Sequence, residues 1–309
     1  MKTEAEFLQF YNEILKKKID DMESLRKSSL RNYSIFIWVV LILFVSVMGY
    51  SYMNNKPGDI VVPIIFFGPM GLLIFLFTAS SIKSKYRNTF KKEVVGAMIK
   101  FFDERLVYTP DKGIASQAII ISNLFFDIDE AGGSDYTEGQ LGETFIQFSK
   151  IRTSKSGFTG IFMIASFNKY FNGHYIVLPR KYAGTDSFFN KTLHKIESEI
   201  PAPIVLENPD FEKEFAAFGS DEIEGRYILT PAFMEKMLDF QSKIDNDLYM
   251  SFVRSRLFIA FGTSVDDMFE PGLSGETTLG DVERWGEQLQ LAIGIVEEFG
   301  LNTRIWSKR

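Results

Sequence analysis

The chain reads as an α+β protein: a two-helix transmembrane hairpin followed by a cytosolic antiparallel-sheet domain with a C-terminal capping helix. Three observations predict this. Two uncharged apolar runs lie near the start, 24 residues between Arg31 and Lys56 and 23 between Asp59 and Lys83. Each exceeds the roughly 20 residues an α-helix needs to cross a bilayer core. From about residue 118 the apolar period shortens from helical to alternating, in short pairs bounded by turn residues. Finally, Leu279, Val282, Trp285, Leu289, Ile293 and Val296 place one apolar face on a last helix. The 309 residues therefore divide into an amphipathic cytosolic helix (1–32), the hairpin (33–82), a juxtamembrane helix and linker (83–117) and the cytosolic domain (118–309).

Residues 3–30 carry Leu8, Tyr11, Leu15, Met22 and Leu25 at alternating heptad-like places, with Lys18 as the misfit. Such a helix suits either a partner or the protein's own cytosolic domain. The first span follows it too late in the chain for a secretory signal. Its flanks carry Lys16, Lys17, Lys18, Arg26, Lys27 and Arg31, and the second span is followed by Lys83, Lys85, Arg87, Lys91 and Lys92. The connecting loop has one Lys and one Asp, so the charge bias predicts both ends in the cytoplasm. The basic cluster after the second span also suits an anionic lipid surface. Pro63, Gly68, Pro69 and Gly71 interrupt that span, as such residues often do in membrane helices. Neither span holds an ionisable residue, which argues against a pump or ion path. Residues 87–102 continue as a helix with Phe90, Val94, Ala97 and Phe101 on one stripe.

In the cytosolic domain, Tyr136–Leu141 and Glu143–Arg152 read as a hairpin over Gly142. Phe158–Phe167 and His174–Pro179 read as a second pair around the loop 168–173, whose Asn172-Gly173 is a turn signal. A helix over 186–199 follows, then short strands at Ile204–Leu206 and Phe215–Phe218. Pro231 opens a helix to about Lys243. Leu248–Val253 and Leu257–Phe261 read as a hairpin over Arg254-Ser255-Arg256. Thr278 with Asp281 forms a capping box for the last helix. A sheet sandwich or partial barrel closed by that helix is the expected architecture, with a pleckstrin-homology-like barrel as the alternative.

The charge balance and motif content narrow the function. Residues 86–309 hold 24 basic and 33 acidic side chains, a poor match to nucleic acid, whose binding rests on phosphate neutralisation. The chain has no cysteine, which removes disulfides, thiolate metal sites and cysteine nucleophiles. No phosphate loop, dinucleotide fingerprint or nucleophile elbow occurs, and no cofactor or metal is implied. His174 and His194 lack a ligand-spaced partner and read as structural. Asp127, Asp129 and Glu130, like Asp266, Asp267 and Glu270, read as solvated loops. Asn190-Lys191-Thr192 is an acceptor motif without meaning in a cytosolic domain.

One stretch carries a family resemblance: Phe211-Glu212-Lys213-Glu214-Phe215, Ser220-Asp221, Arg226-Tyr227-Ile228-Leu229-Thr230-Pro231 and Phe233-Met234. Asp135-Tyr136-Thr137-Glu138-Gly139, Gly160-Ile161-Phe162 and Phe167-Asn168 are similar to further signatures of the same family. Together with the order of parts, these make the chain resemble the bacterial family catalogued as domain of unknown function 3137. Gly225 departs from the pattern, which places Ala before the Arg. The resemblance implies a bacterial cytoplasmic-membrane protein with no assigned catalytic residue, of a kind associated with helical membrane proteins of the LemA type.

Asp221, Arg226 and Tyr227 are the most specific polar residues of the block. They suit a binding site, or else a buried Asp–Arg pair that fixes the Ser220–Thr230 turn. The expected function is a membrane-anchored, non-enzymatic scaffold that binds a protein partner and leaves a homo-oligomer open. The alternative is a lipid- or small-molecule-binding sensor or enzyme at the cytoplasmic membrane face, which requires a pocket beside Lys83–Lys92.

Overall fold

A computed structural model describes residues 2–53, 77, 80–81, 83–125, 131–153, 157–183, 202–244, 246–262, 269–271 and 275–301. It divides into a sheet unit (Met1–Thr3, Met98–Met268 and Glu283–Arg309) and a helical unit (Glu4–Ala97 and Phe269–Val282). Most of the second apolar run with its Pro and Gly residues, the connecting loop and the predicted helix over 186–199 lie outside the described residues. So do His194, Asn190-Lys191-Thr192, Asp127, Asp129, Glu130, Asp266 and Asp267.

In the helical unit, α1 comprises Glu4–Phe10, a π-helical turn at Tyr11–Leu15 and Lys16–Met53. The π turn inserts one residue into the i→i+4 ladder. The buried stripe therefore steps by five, from Phe10 to Leu15, before continuing through Ile19 and Met22. That shift displaces the expected heptad line. Lys18 pairs with Glu93 at 2.7 Å, and Leu25 is exposed. Beyond Arg31 the helix turns apolar on all sides: Ile35, Trp38, Leu41, Ile42, Leu43 and Val45 are all exposed. An 18-residue window here has mean hydropathy 2.2 and none of it is buried, so this helix is long and apolar enough to cross a membrane.

A second helix, α2, covers residues 83–90, a π turn at Lys91–Val95 and Gly96–Phe102. Its π turn again rotates the stripe. Phe90 and Val94 are buried as expected, but Met98 and Ile99 take the places predicted for Ala97 and Phe101.

Among the described residues the sheet unit holds seven antiparallel strands: β1 (Val107–Thr109), β2 (Ala131–Leu141), β3 (Thr144–Thr153), β4 (Thr159–Pro179), β5 (Ala202–Ile204), β6 (Phe215–Gly219) and β7 (Leu248–Gly262). Their order is β1-β2-β3-β4-β6-β5, with β7 on the other edge of β4. The β2–β3 hairpin turns at Gly142, whose φ of 61° is left-handed, as predicted. β1 and β5 end the path without meeting, so among the described residues the sheet is open. Among those residues neither the sandwich nor the barrel expected from sequence is present.

The helices of this unit are α3 (Ser116–Ile121), α4 (Pro209–Glu214), α5 (Glu222–Ile228), α6 (Pro231–Lys243) and α7 (Leu279–Glu298, from Glu283 in this unit). Thr230 caps α6 by accepting from the Phe233 amide at 3.3 Å, with Pro231 in the first turn. Thr278 and Asp281 exchange capping bonds at 2.9 and 3.3 Å. Gly300, at φ 63°, ends α7, and the Leu301 amide reaches back to the Val296 carbonyl at 2.9 Å.

Both faces of the central strands are covered, so their side chains are apolar on consecutive positions as well as alternate ones. Ile119, Leu124 and Phe125 pack with Phe162, Ile164, Ile176, Phe258 and Ala260 on one face. On the other, Phe233 stacks near Phe252 and Phe299, and Phe240 near Phe261 and Phe299.

The two remaining predicted hairpins are not hairpins. Thr159–Pro179 is one strand with a bulge, and Leu248–Gly262 is one strand with a kink. The two pair with each other along their length. The register slips between Ser166 and Phe171 and again before His174, opposite Arg254 at φ 56°. Across the kink, β7 exchanges faces: Val253 shares the first core with Phe258 and Ala260. A hairpin turn and a bulge need the same left-handed residues, so turn chemistry alone did not separate them.

Candidate functional site

The bulge of β4 is fastened to the end of β6 and the start of α5. Gly173 has φ 118°, and a Cβ there would lie 2.7 Å from the Ser220 Cβ, so both conformation and space require glycine. The Ser220 amide donates to the His174 carbonyl at 3.1 Å, and the His174 amide donates to Ser220 Oγ at 3.1 Å. Asp221 then caps α5, accepting from the Glu224 amide at 2.8 Å.

Glu224 sits three residues after the cap, where a capping-box glutamate turns back to its own cap. Here it reaches the bulge instead. Its carboxylate accepts from the Asn172 amide at 3.1 and 3.2 Å and from the Tyr175 hydroxyl at 2.9 Å. An amide that the irregular strand leaves without a ladder partner is thus satisfied by a charged acceptor. Burial, then the Glu224 carboxylate, pushes the Tyr175 hydroxyl well above the usual phenol range. His174 is half-buried, its Nδ1 lies 2.9 Å from Asn123 Nδ2, and burial followed by the Arg254 charge lowers its pKa. Ser220 and His174 are neighbours but no nucleophile–base pair, because the bond between them uses the histidine backbone.

These contacts frame an open depression of about 920 Å³, with Asp221 and Glu224 among its walls. Tyr170, Ile223 and Tyr227 stand on it and are 50%, 82% and 58% exposed. Among the described residues no cation pairs with either carboxylate, and no group of three or more metal-ligating side chains forms. The chemistry is anionic and aromatic, suited to a cation on an apolar stem rather than to phosphate.

Sequence reasoning named Asp221 and Tyr227, and both line the depression. Arg226 does not. It is exposed and bonds Glu222 at 2.8 Å, one helical turn away, with Glu207 at 3.7 Å. The buried Asp221–Arg226 pair is therefore absent, and the turn is fixed by Asp221 capping and by Ser220. Tyr170, Asn172, Ile223 and Glu224 were missed. The Asp221-x-x-Glu224 spacing was a usable signal for the start of α5.

Elsewhere, the basic cluster splits. Lys83, Lys85 and Lys92 are exposed, whereas Lys91 is 2% exposed with Nζ 2.9 Å from Glu270. Arg87 approaches the same carboxylate at 3.8 Å. Glu270 is thus a structural counter-charge rather than a solvated acid. The Asp135–Gly139 signature fixes a second bulge. Asp135, at φ 62°, accepts from Tyr108 Oη and Ser134 Oγ, and Tyr136 is pushed up to about 12 by burial and the Glu138 carboxylate.

Residues 156–301 match the family model described as "Protein of unknown function (DUF3137)". This stretch of the chain is similar to the DUF3137 family. The match spans β4 to the end of α7 and includes the whole depression, while Asp135–Gly139 lies before it. No curated protein matches the chain. Among solved structures, the crystal structure of the mycobacterial trehalose monomycolate transport factor A, TtfA, is similar at 9% identity with a TM-score of 0.39. It covers 72% of this chain and 97% of that one. A likeness this slight carries no argument about fold or function.

Proposed function

We propose that the chain is a membrane-anchored, non-enzymatic interaction module whose DUF3137-like domain docks a protein partner at the β4–α5 depression. The observation that carries this is the exposure of Tyr170, Ile223 and Tyr227 together beside two carboxylates that have no cation among the described residues. Exposed aromatic and aliphatic anchors beside uncompensated charge are what interfaces concentrate. The exposed apolar stretch of α1 supports anchoring.

On this reading the second apolar run completes a hairpin in a bacterial inner membrane, both ends are cytoplasmic, and a LemA-type helical membrane protein is a candidate partner. The sensor or enzyme reading needs a pocket beside Lys83–Lys92. In that segment Lys91 and Arg87 are drawn to Glu270, which weakens it.

Capture from gently solubilised membranes with the full chain and with Ile223→Asp tests the docking. A partner held by the native chain and lost by the variant is expected. Recovery of the chain alone in several detergents, or of the same proteins with both, contradicts it. Because the chain is cysteine-free, Asn55→Cys reads topology: an impermeant maleimide should label it in intact cells.

A further inference from the structure

We propose that the depression between β4 and α5 recognises an arginine side chain presented by the protein partner. This rests on the docking role proposed above and names the chemistry that the docking reads. An arginine asks three things of its site: carboxylates with acceptor capacity left, an aromatic face for the guanidinium plane, and apolar surface for the stem. The residues around the depression supply all of them.

A carboxylate can accept about four hydrogen bonds. Asp221 spends Oδ1 on the Glu224 amide at 2.8 Å, and among the described residues its Oδ2 has no partner. Glu224 holds the Asn172 amide and the Tyr175 hydroxyl and meets no described cation. Arg226, the cation of α5 itself, is committed to Glu222 at 2.8 Å. The start of this seven-residue helix carries at most about half a positive charge, which two full negative charges outweigh. Tyr170 is half-exposed, Ile223 is almost fully exposed, and Tyr227 lines the same depression. An opening of about 920 Å³ takes flanking residues as well as one side chain. Arginine is favoured over lysine because its planar fork meets two acceptors and a ring face at once, whereas an ammonium is a compact, strongly hydrated charge. A phospholipid headgroup is disfavoured, because the same carboxylates repel its phosphate.

The test uses the full chain in neutral dodecyl maltoside. The probes are fluorescein-labelled nonapeptides carrying a central arginine flanked by leucines, or lysine or neutral citrulline in its place. Fluorescence anisotropy should show binding of the arginine peptide, several-fold weaker binding of the lysine peptide, and binding of the citrulline peptide at least about tenfold weaker. Asp221→Asn, which keeps a good helix cap, and Tyr170→Ala should each weaken the arginine peptide several-fold. Glu235→Gln, which removes an exposed charge on α6 outside the depression, should leave it unchanged. Equal binding of the arginine and citrulline peptides would overturn the proposal. So would indifference to both depression variants, or an equal response to Glu235→Gln, which would mean attraction to net charge alone. Lysine binding as tight as arginine, or competition by tetramethylammonium as effective as by arginine amide, would overturn the assignment to arginine. Partner capture that requires Ile223 without arginine-peptide binding defeats this inference alone. Arginine-specific binding with capture indifferent to Ile223 defeats the docking function and leaves the arginine site standing.

Discussion

Two kinks face each other across the β4–β7 pair, and the one in β4 borders an open depression. The β7 kink is short, turns on Arg254 in a left-handed conformation, and hands the strand from one core face to the other. The β4 bulge is longer and is fastened from outside by Ser220, Asp221 and Glu224. A bulge leaves backbone groups unpaired, and what supplies their partners decides its use. At β4 the supplier is a helix start, which brings two carboxylates and three exposed apolar side chains to the same place. Irregular backbone thus becomes a surface with chemistry only where a second element closes on it.

The largest effect expected at these kinks follows Gly173→Ala. The new methyl group meets Ser220 at a φ that L-residues avoid, so thermal or urea unfolding should show a loss of about 3 kcal/mol. At the opposite kink Arg254→Gly should fall within about 1 kcal/mol of the native protein. It relieves a left-handed residue and adds backbone freedom, two terms of similar size. A Gly173→Ala variant as stable as Arg254→Gly would erase the distinction.

Next comes Glu224→Gln, which leaves the Asn172 amide and Tyr175 hydroxyl with a neutral acceptor. A loss of about 1–2 kcal/mol is expected, with faster hydrogen exchange at 168–175 and unchanged exchange at 250–258. Equal exchange changes on both strands would mean that Glu224 does not fasten the bulge.

His174 ties the bulge to pH. Its folded pKa is lowered by burial and by Arg254, so the unfolded chain takes up its proton first. The contribution is therefore complete above the unfolded value of about 6.5 and is lost as pH falls from there through the folded value. Melts between pH 7.5 and 5.5 should show this decline, and His174→Asn should flatten it. The smallest change belongs to Gly225→Ala. A Cβ there would lie 2.3 Å from Ile204 Cδ1, the end of a side chain that can turn, and in ordinary contact with Tyr175 Cδ1 at 3.5 Å, while the helix gains up to about 1 kcal/mol in propensity. Net stability should move by less than about 1 kcal/mol.

The legible parts of this chain were those set by local chemistry. The β2–β3 hairpin, the Thr230–Pro231 and Thr278–Asp281 helix starts and the unburied apolar stretch of α1 each follow from a few adjacent residues. What misled was chemistry that two structures share. Asn172-Gly173 and Arg254-Ser255-Arg256 serve a bulge as well as a turn, and a π turn shifts a helical stripe without any residue type announcing it. The site was half-legible for the same reason. Asp221 and Tyr227 sit in one specific block, but Tyr170 and Asn172 join them only because β4 does not turn back at residue 168. Arg226 was drawn to the wrong acid because its helical partner, Glu222, lies on an element too short to show periodicity.

Partner capture by full-length chains altered at one kink or the other tests the account most directly. Tyr170→Ala and Ile223→Asp change the β4 side, and Arg254→Ala and Arg256→Ala the β7 side. The account predicts that the first pair loses the partner at unchanged melting temperature while the second pair retains it. Equal capture by all four, or loss confined to the arginine variants, would contradict it.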